Sequence, residues 1–283
     1  MRAALFPGQG VDATTIHAAL RDGPLTDLAD EILGCDLRDA VERCLHRARP
    51  SLPTDIAQPA LFVSGLAAHA ESGGDFAAYA GHSVGEYTAL AAAGALTPED
   101  GLRLVCVRGR AMRDAGRRHP GGMAAVKGLT AGELDDICAR SGTVVANDNS
   151  RVQLVIGGPD DALAEAARLV RAAGGRALLL AVEGAFHTQA MAPAAEALRD
   201  ALDHTQVKMP RVPVVSNLTA RPYRAPGEIR KLLVRQLTER VRFRESIEWM
   251  AAAGVTEFVD LGPGRVAGKL AAASVDAGDP VRA

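Results

Sequence analysis

A chain of 283 residues with 48% apolar and 23% charged side chains can bury one large core, or a large core carrying a smaller one. Its net charge of −2 supplies no field that would gather nucleic acid or an anionic membrane, so neither is an expected partner. The four cysteines, Cys35, Cys44, Cys106 and Cys138, form no C-x-x-C pair and adjoin no histidine, which argues against a zinc site or a disulfide framework and fits a reducing cytoplasm.

Residues 3–6 read as a short buried strand, stopped by Pro7-Gly8-Gln9-Gly10. That apolar start is too brief for a secretion signal, and no run approaches the roughly eighteen apolar residues of a membrane span. A helix is expected over 59–69, because Pro59 suits a first helical position. The apolar run 76–80 reads as a strand, and 84–93 as an amphipathic helix stopped by Gly94. Thr97-Pro98-Glu99-Asp100 then supplies an N-cap, a first-turn proline and two acids near the positive end of the helix dipole, opening a helix to about residue 115.

Residues 122–181 have a character of their own. Strand 122–126, helix 131–139, strands 144–147 and 153–156, helix 160–173 and strand 176–180 follow the βαββαβ order of a ferredoxin-like unit. The expected fold class is therefore α/β: a parallel-sheet body over 1–120 and 185–283, with a small subdomain inserted over 121–184. Beyond it come a helix over 193–202, a strand over 212–216, helices near 228–238 and 245–253, and a strand over 257–261. That last strand ends in Gly262-Pro263-Gly264 before a final short helix.

The chemistry centres on Gly81-His82-Ser83-Val84-Gly85, which lies between the expected strand and helix. Glycines two before and two after the serine let a strand turn sharply into a helix and hold the hydroxyl at the tip. A serine needs a general base. His82 adjoins it but points to the opposite face of the strand. His187 follows the expected strand 177–182 in a glycine-containing loop, where α/β proteins gather their chemistry; the alternative is an ordinary surface histidine. No acid to orient it stands out, and a backbone carbonyl would serve equally well. Oxyanion donors are expected at the amide of Val84 and in the turn 7–10, although that turn also reads as a plain glycine turn. Leu104, Val105, Cys106 and Val107 cover every side of their helix, so Arg108 is expected to be buried and to need an anionic partner. Either a structural acid or a substrate carboxylate meets that need. Gly264 to Leu270 resembles a P-loop tail but has the wrong glycine spacing, and no G-x-G-x-x-G follows a strand.

Several segments carry a wider likeness: Phe6-Pro7-Gly8-Gln9-Gly10, Gln58-Pro59-Ala60, Gly81 to Tyr87, Arg108 to Met112, Gly122 to Val126, Ala146 to Ser150, Gly184 to His187, Pro213 to Asn217 and Leu261 to Gly264. In this order they resemble the malonyl-CoA:acyl carrier protein transacylases, including stand-alone acyltransferases of fatty acid or polyketide synthesis. The resemblance implies a hydrolase-like body with a ferredoxin-like insert, Ser83 as nucleophile, His187 as base, and Gln9 and Val84 amides as oxyanion donors. It further implies Arg108, with Gln58 and Phe186, on the substrate side, where Arg108 would hold the free carboxylate of malonate. The carbonyl that orients the histidine would lie near Val241-Arg242-Phe243. Malonyl-CoA and an acyl carrier protein bearing phosphopantetheine would be substrate and partner, with no cofactor or metal of the enzyme's own, and a monomer is expected. The chain departs from the family's pattern at Val11-Asp12, where Ser-Gln is usual, and at Arg242, where glutamine is common. The stretch 11–53 is also weakly similar and short.

An acidic carrier would meet the segment 221–244, in which Arg221, Arg224, Arg230, Lys231, Arg235, Arg240, Arg242 and Arg244 face only Glu228 and Glu239; a solvated helix surface is the alternative. Rival functions keep the same serine: an acyl hydrolase clearing carrier proteins, or a transferase moving larger acyl chains between two carriers. A third is a silent carrier-binding relative.

Overall fold

The computed structural model describes residues 1–45 and 52–275. In chain order the first half contains β1 (Arg2–Phe6), α1 (Ala13–Ala19), α2 (Pro24–Leu33), α3 (Leu37–Leu45), α4 (Thr54–Ser72), β2 (Ala78–Gly81), α5 (Gly85–Ala92) and α6 (Pro98–Arg118). Next come β3 (Gly122–Lys127), α7 (Ala131–Ser141), β4 (Val144–Ser150), β5 (Gln153–Gly158), α8 (Asp160–Ala172) and β6 (Arg176–Leu179). The chain finishes with α9 (Ala192–Asp203), β7 (Val214–Val215), α10 (Pro226–Gln236), β8 (Val241–Arg242), α11 (Phe243–Ala252), β9 (Glu257–Asp260) and α12 (Val266–Ala272).

The fold is α/β. Four parallel strands in the order β7-β2-β1-β9 make the first sheet. Alternate residues of β1 serve its two faces: Ala4 and Phe6 join the large core beneath α4, α5 and α6, while Ala3 and Leu5 join a second core under α11 and α12. A strand buried on both faces is what a parallel sheet covered by helices requires. The register aligns Phe6 with Gly81, so the loops after β1 and β2 leave the sheet side by side at its carboxyl edge. The second sheet has the order β6-β3-β5-β4-β8. Its first four strands pair antiparallel in the ferredoxin-like arrangement, with α7 and α8 over one face. A fifth strand, β8, comes from outside that stretch and pairs parallel to β4, so this sheet is completed by the segment that follows α10.

Three expectations need correction. α4 begins at Thr54, and Pro59 sits inside it rather than at its start. The run Thr54 to Gly65 is almost wholly buried, and that packing outweighs the single helical bond that proline denies to the Asp55 carbonyl. α5 is not amphipathic: Gly85 to Ala91 are all buried, because the helix is enclosed between the sheet and its helical neighbours. Val241–Arg242, the stretch where the resemblance puts the orienting carbonyl, is a short strand and not the loop it implies. Helices α1 to α3 lie in the stretch that had no expected structure, although Asp12 caps α1 by accepting from Thr15 N and Gly34 closes α2 in the left-handed region.

Candidate active site

The turn after β2 is forced by its glycines. A Cβ on Gly81 would lie 1.9 Å from the carbonyl carbon of Gly85, and one on Gly85 would lie 2.3 Å from the Phe6 carbonyl oxygen. Between them Ser83 adopts φ +53°, a left-handed conformation that non-glycine residues rarely take. Asn217, just after β7, holds the turn there. Its Oδ1 accepts from Ser83 N at 2.8 Å and its Nδ2 donates to Gly81 O at 2.7 Å.

His187 also sits at positive φ, +59°. Its Nε2 lies 2.8 Å from Ser83 Oγ, and its Nδ1 lies 2.6 Å from the backbone oxygen of Gln236. A carbonyl oxygen only accepts, so Nδ1 carries the proton and Nε2 presents its lone pair to the serine hydroxyl. The orienting carbonyl is therefore Gln236, at the end of α10, and not one in the stretch 241–243. Burial and then the neighbouring Arg108 cation push the His187 pKa down to about 3. The imidazole is neutral, as a base must be.

Arg108 is completely buried, and no carboxylate hydrogen-bonds to it among the described residues. Nη1 donates to Gln58 Oε1 at 2.6 Å; Nη2 donates to Ser83 Oγ and to Gln236 Oε1, both at 3.0 Å. The guanidinium carbon stands 5.5 Å from the centroid of the Tyr87 ring, while Nε has no hydrogen-bond partner among the described residues. Gln58 passes the connection onward. Its Nε2 donates to Thr54 Oγ1, which donates to Gln9 Oε1 at 2.6 Å. One chain of hydrogen bonds thus ties the arginine to the loop after β1. The backbone amides of Gln9 and Val84 donate to no other backbone group among the described residues and remain free for a ligand.

Gln236, Asn217 and Glu86 have no assigned place in the sequence reading, yet they join these parts. Glu86, on α5, accepts from Asn217 N at 2.9 Å, from Tyr223 OH at 2.7 Å and from Gln236 Nε2. Burial raises its pKa to about 7, against the pull of those donors and of Arg108. Asn217 had a signal in the sequence, since it closes the Pro213 to Asn217 segment; Gln236 had none. His82 lies in the turn beyond β2 and borders the same cavity as Ser83, but its Nε2 is taken up by Asn149 Oδ1 at 2.7 Å on β4 rather than by the serine oxygen. This contact joins the two sheets at the wall of the site.

A cavity of about 80 Å³ opens on Ser83 and His187, walled by Phe186, Met123, Leu180 and Val182. Such a site can attack a carbonyl carbon with a serine oxygen and hold a short acyl group next to a fixed cation. The expected basic face over 221–244 is not continuous. Arg235, Arg240, Arg242 and Arg244 are paired with Glu239, Asp135, Glu245 and Asp148, while Arg230 is turned onto the carbonyls of Leu202 and Thr205. No described helix is long and apolar enough to cross a membrane.

Residues 33–277 match the family of acyl transferase domains. The chain is 40% identical over 277 residues to the polyketide biosynthesis protein ThaF of Burkholderia thailandensis, covering 94% of this chain but only 23% of ThaF. It is 39% identical to the malonyl CoA-acyl carrier protein transacylase of Bacillus subtilis, covering 93% of this chain and 87% of that one. The crystal structure of an acyl-carrier-protein S-malonyltransferase from Burkholderia pseudomallei superimposes with a TM-score of 0.89 at 33% identity, over 99% of this chain and 94% of its own.

Proposed function

The chain belongs to the acyl transferase domain family, and from that premise we propose that it moves a malonyl group from coenzyme A to the phosphopantetheine thiol of an acyl carrier protein, through an acyl-enzyme on Ser83. The observation that carries this reading is the buried Arg108, free of any protein carboxylate among the described residues and 3.0 Å from the serine oxygen. A guanidinium in that position, held by neutral partners alone among the described residues, keeps an unbalanced positive charge for an anion that arrives with the substrate. An acyl group with a free carboxylate satisfies it; a fatty acyl chain does not.

His187 takes the Ser83 proton at Nε2 as the oxygen attacks the thioester carbon. The oxyanion rests on the amides of Gln9 and Val84, and the thiolate leaves as coenzyme A with the proton that His187 returns. In the second half the carrier's thiol gives its proton to the same nitrogen and attacks the malonyl ester, restoring the serine. Arg108 fixes the acyl carboxylate throughout, an interaction worth about 2–5 kcal/mol when desolvated. The reaction needs no cofactor beyond the thioester itself. The four unpaired cysteines suit a reducing cytoplasm, and the enzyme acts there as a monomer on this reading.

Incubation with malonyl-CoA should add one malonyl mass to a peptide containing Ser83, and the mass should vanish when holo carrier protein is added. Labelling that survives Ser83→Ala, or an adduct released only to water, refutes transfer through this residue.

A further inference from the structure

A buried cation with no carboxylate in contact is costly, so its charge must be balanced from further away. The nearest route runs through one side-chain amide. Gln236 Oε1 accepts from Arg108 Nη2 at 3.0 Å, and Gln236 Nε2 donates to Glu86 Oε2. The amide cannot be turned round. On its nitrogen side lie only acceptors, the Glu86 carboxylate, Ser83 O at 3.0 Å and Asn217 Oδ1 at 3.2 Å; on its oxygen side lies a guanidinium that only donates. The other carboxylate oxygen of Glu86 is filled by Asn217 N and Tyr223 OH. Every group bonded to Glu86 points a hydrogen at it, which is the surrounding of a carboxylate, and Glu86 carries that charge above the pKa of about 7 to which burial lifts it.

We propose that Glu86 is a positioning residue for Arg108: acting through the Gln236 amide, it supplies the counter-charge that keeps the guanidinium buried while leaving it unclaimed by any carboxylate of the protein, and so sets the preference for acyl groups that bring their own. This inference rests on the malonyl-transfer reading above. A carboxylate moved one amide closer would pair with Arg108 directly and close the site to an acidic acyl group. Glu86 removed altogether would leave Arg108 buried with no counter-charge beyond the Gln236 amide. Both changes damage the same selectivity.

The test compares formation rates of malonyl- and acetyl-Ser83, by mass spectrometry, in the parent, Arg108→Ala, Glu86→Gln and the double variant Glu86→Gln/Gln236→Glu, with thermal unfolding followed in parallel. Glu86→Gln sets two amide N–H groups against each other and should lower the malonyl-to-acetyl ratio at least tenfold. The double variant restores a donor facing an acceptor at the 86–236 contact but turns a carboxylate oxygen toward Ser83 O and Asn217 Oδ1, so it should regain only part of the melting temperature lost in Glu86→Gln. Its ratio should nevertheless stay low, because the carboxylate introduced at position 236 now holds the arginine. A merely structural Glu86 predicts the reverse, a double variant that recovers both stability and ratio, and that result overturns the proposal. So does a parent-like ratio in Glu86→Gln. A parent with no malonyl preference, equal to Arg108→Ala, would sink the functional reading and this inference together; a parent with a clear preference separates the two failures.

Discussion

Ser83, His187 and Arg108 stand within hydrogen-bond reach of one atom, the serine oxygen, and their roles separate by charge. Replacing Arg108 by Ala removes the cation but leaves the hydroxyl, the imidazole and the oxyanion amides in place, so malonyl loading should fall 10²-fold or more, on the order of 3 kcal/mol, while acetyl loading changes far less. Equal losses for the two acyl groups would mean that the arginine only supports the fold. His187→Ala should slow transfer about 10²–10⁴-fold, the usual range for a lost general base. The His187 pKa, pushed from 6.5 down to about 3 by burial and by the Arg108 cation, fixes the sign of the pH response. The neutral, working form persists as the pH drops below 6.5 and is lost only as it nears 3. The acid limb of the acylation rate should accordingly lie well below the ordinary histidine range; a limb centred at 6.5 would show an imidazole that is solvated in the working enzyme. At this scale the sequence was informative wherever the signal is local. The glycines around Ser83 announce a turn, and the apolar run before Arg108 announces its burial. Gln236 gave no such sign, because its backbone serves His187 and its side chain serves Arg108, Ser83, Glu86 and Asn217, which meet it only in the folded chain.

Elements place these groups through close backbone approach and through a few charged ties. Gly85 lets α5 start against β1, and a methyl there would overlap the Phe6 carbonyl, so Gly85→Ala should give insoluble or unfolded protein rather than a folded enzyme with reduced rate. Arg244, on α11, grips Asp148 of β4 with its Nε and Nη2, the latter at 2.7 Å, and reaches Glu248 with Nη1. Asp148 is only 5% exposed, so Arg244→Ala strands a buried carboxylate and should cost about 2 kcal/mol of stability, readable in a denaturant melt, with little change in the chemistry of the folded enzyme. A loss within error would mean that water replaces the guanidinium. Legibility was uneven at this scale. The helix opened by Thr97 and the βαββαβ succession could be read because caps and alternating patterns are written in adjacent residues. The start of α4 is not legible from Pro59, since the burial of a whole helical face outweighs the roughly 3 kcal/mol that a proline costs inside a helix. The strand Val241–Arg242 has no signature of its own in the sequence, because two residues carry no period and its pairing with β4 defines it.

The whole molecule responds to pH through opposed groups. Asp260, the last residue of β9 and an acceptor for Gly268 N on α12, is raised from 3.8 to about 6, chiefly by burial. A raised carboxyl contributes stability below its unfolded value of 3.8 and loses it as the pH climbs through about 6. His187 has the opposite slope, with stability lost as the pH falls from 6.5 toward 3. Asp260→Asn cannot ionise, and its melting temperature relative to the parent should therefore rise between pH 3.8 and pH 6; a constant difference would place the charge elsewhere. Sheet order too belongs to the whole. β1 pairs with β9, which stands more than 250 positions later in the chain, and α10 delivers Gln236 only after the serine, the arginine and the histidine have all been made. A nascent polypeptide leaving the ribosome therefore carries its nucleophile long before it owns the carbonyl that fixes the imidazole's tautomer. Until that late helix emerges, the growing enzyme has no oriented base, and the cell's pool of activated thioesters is safe from it.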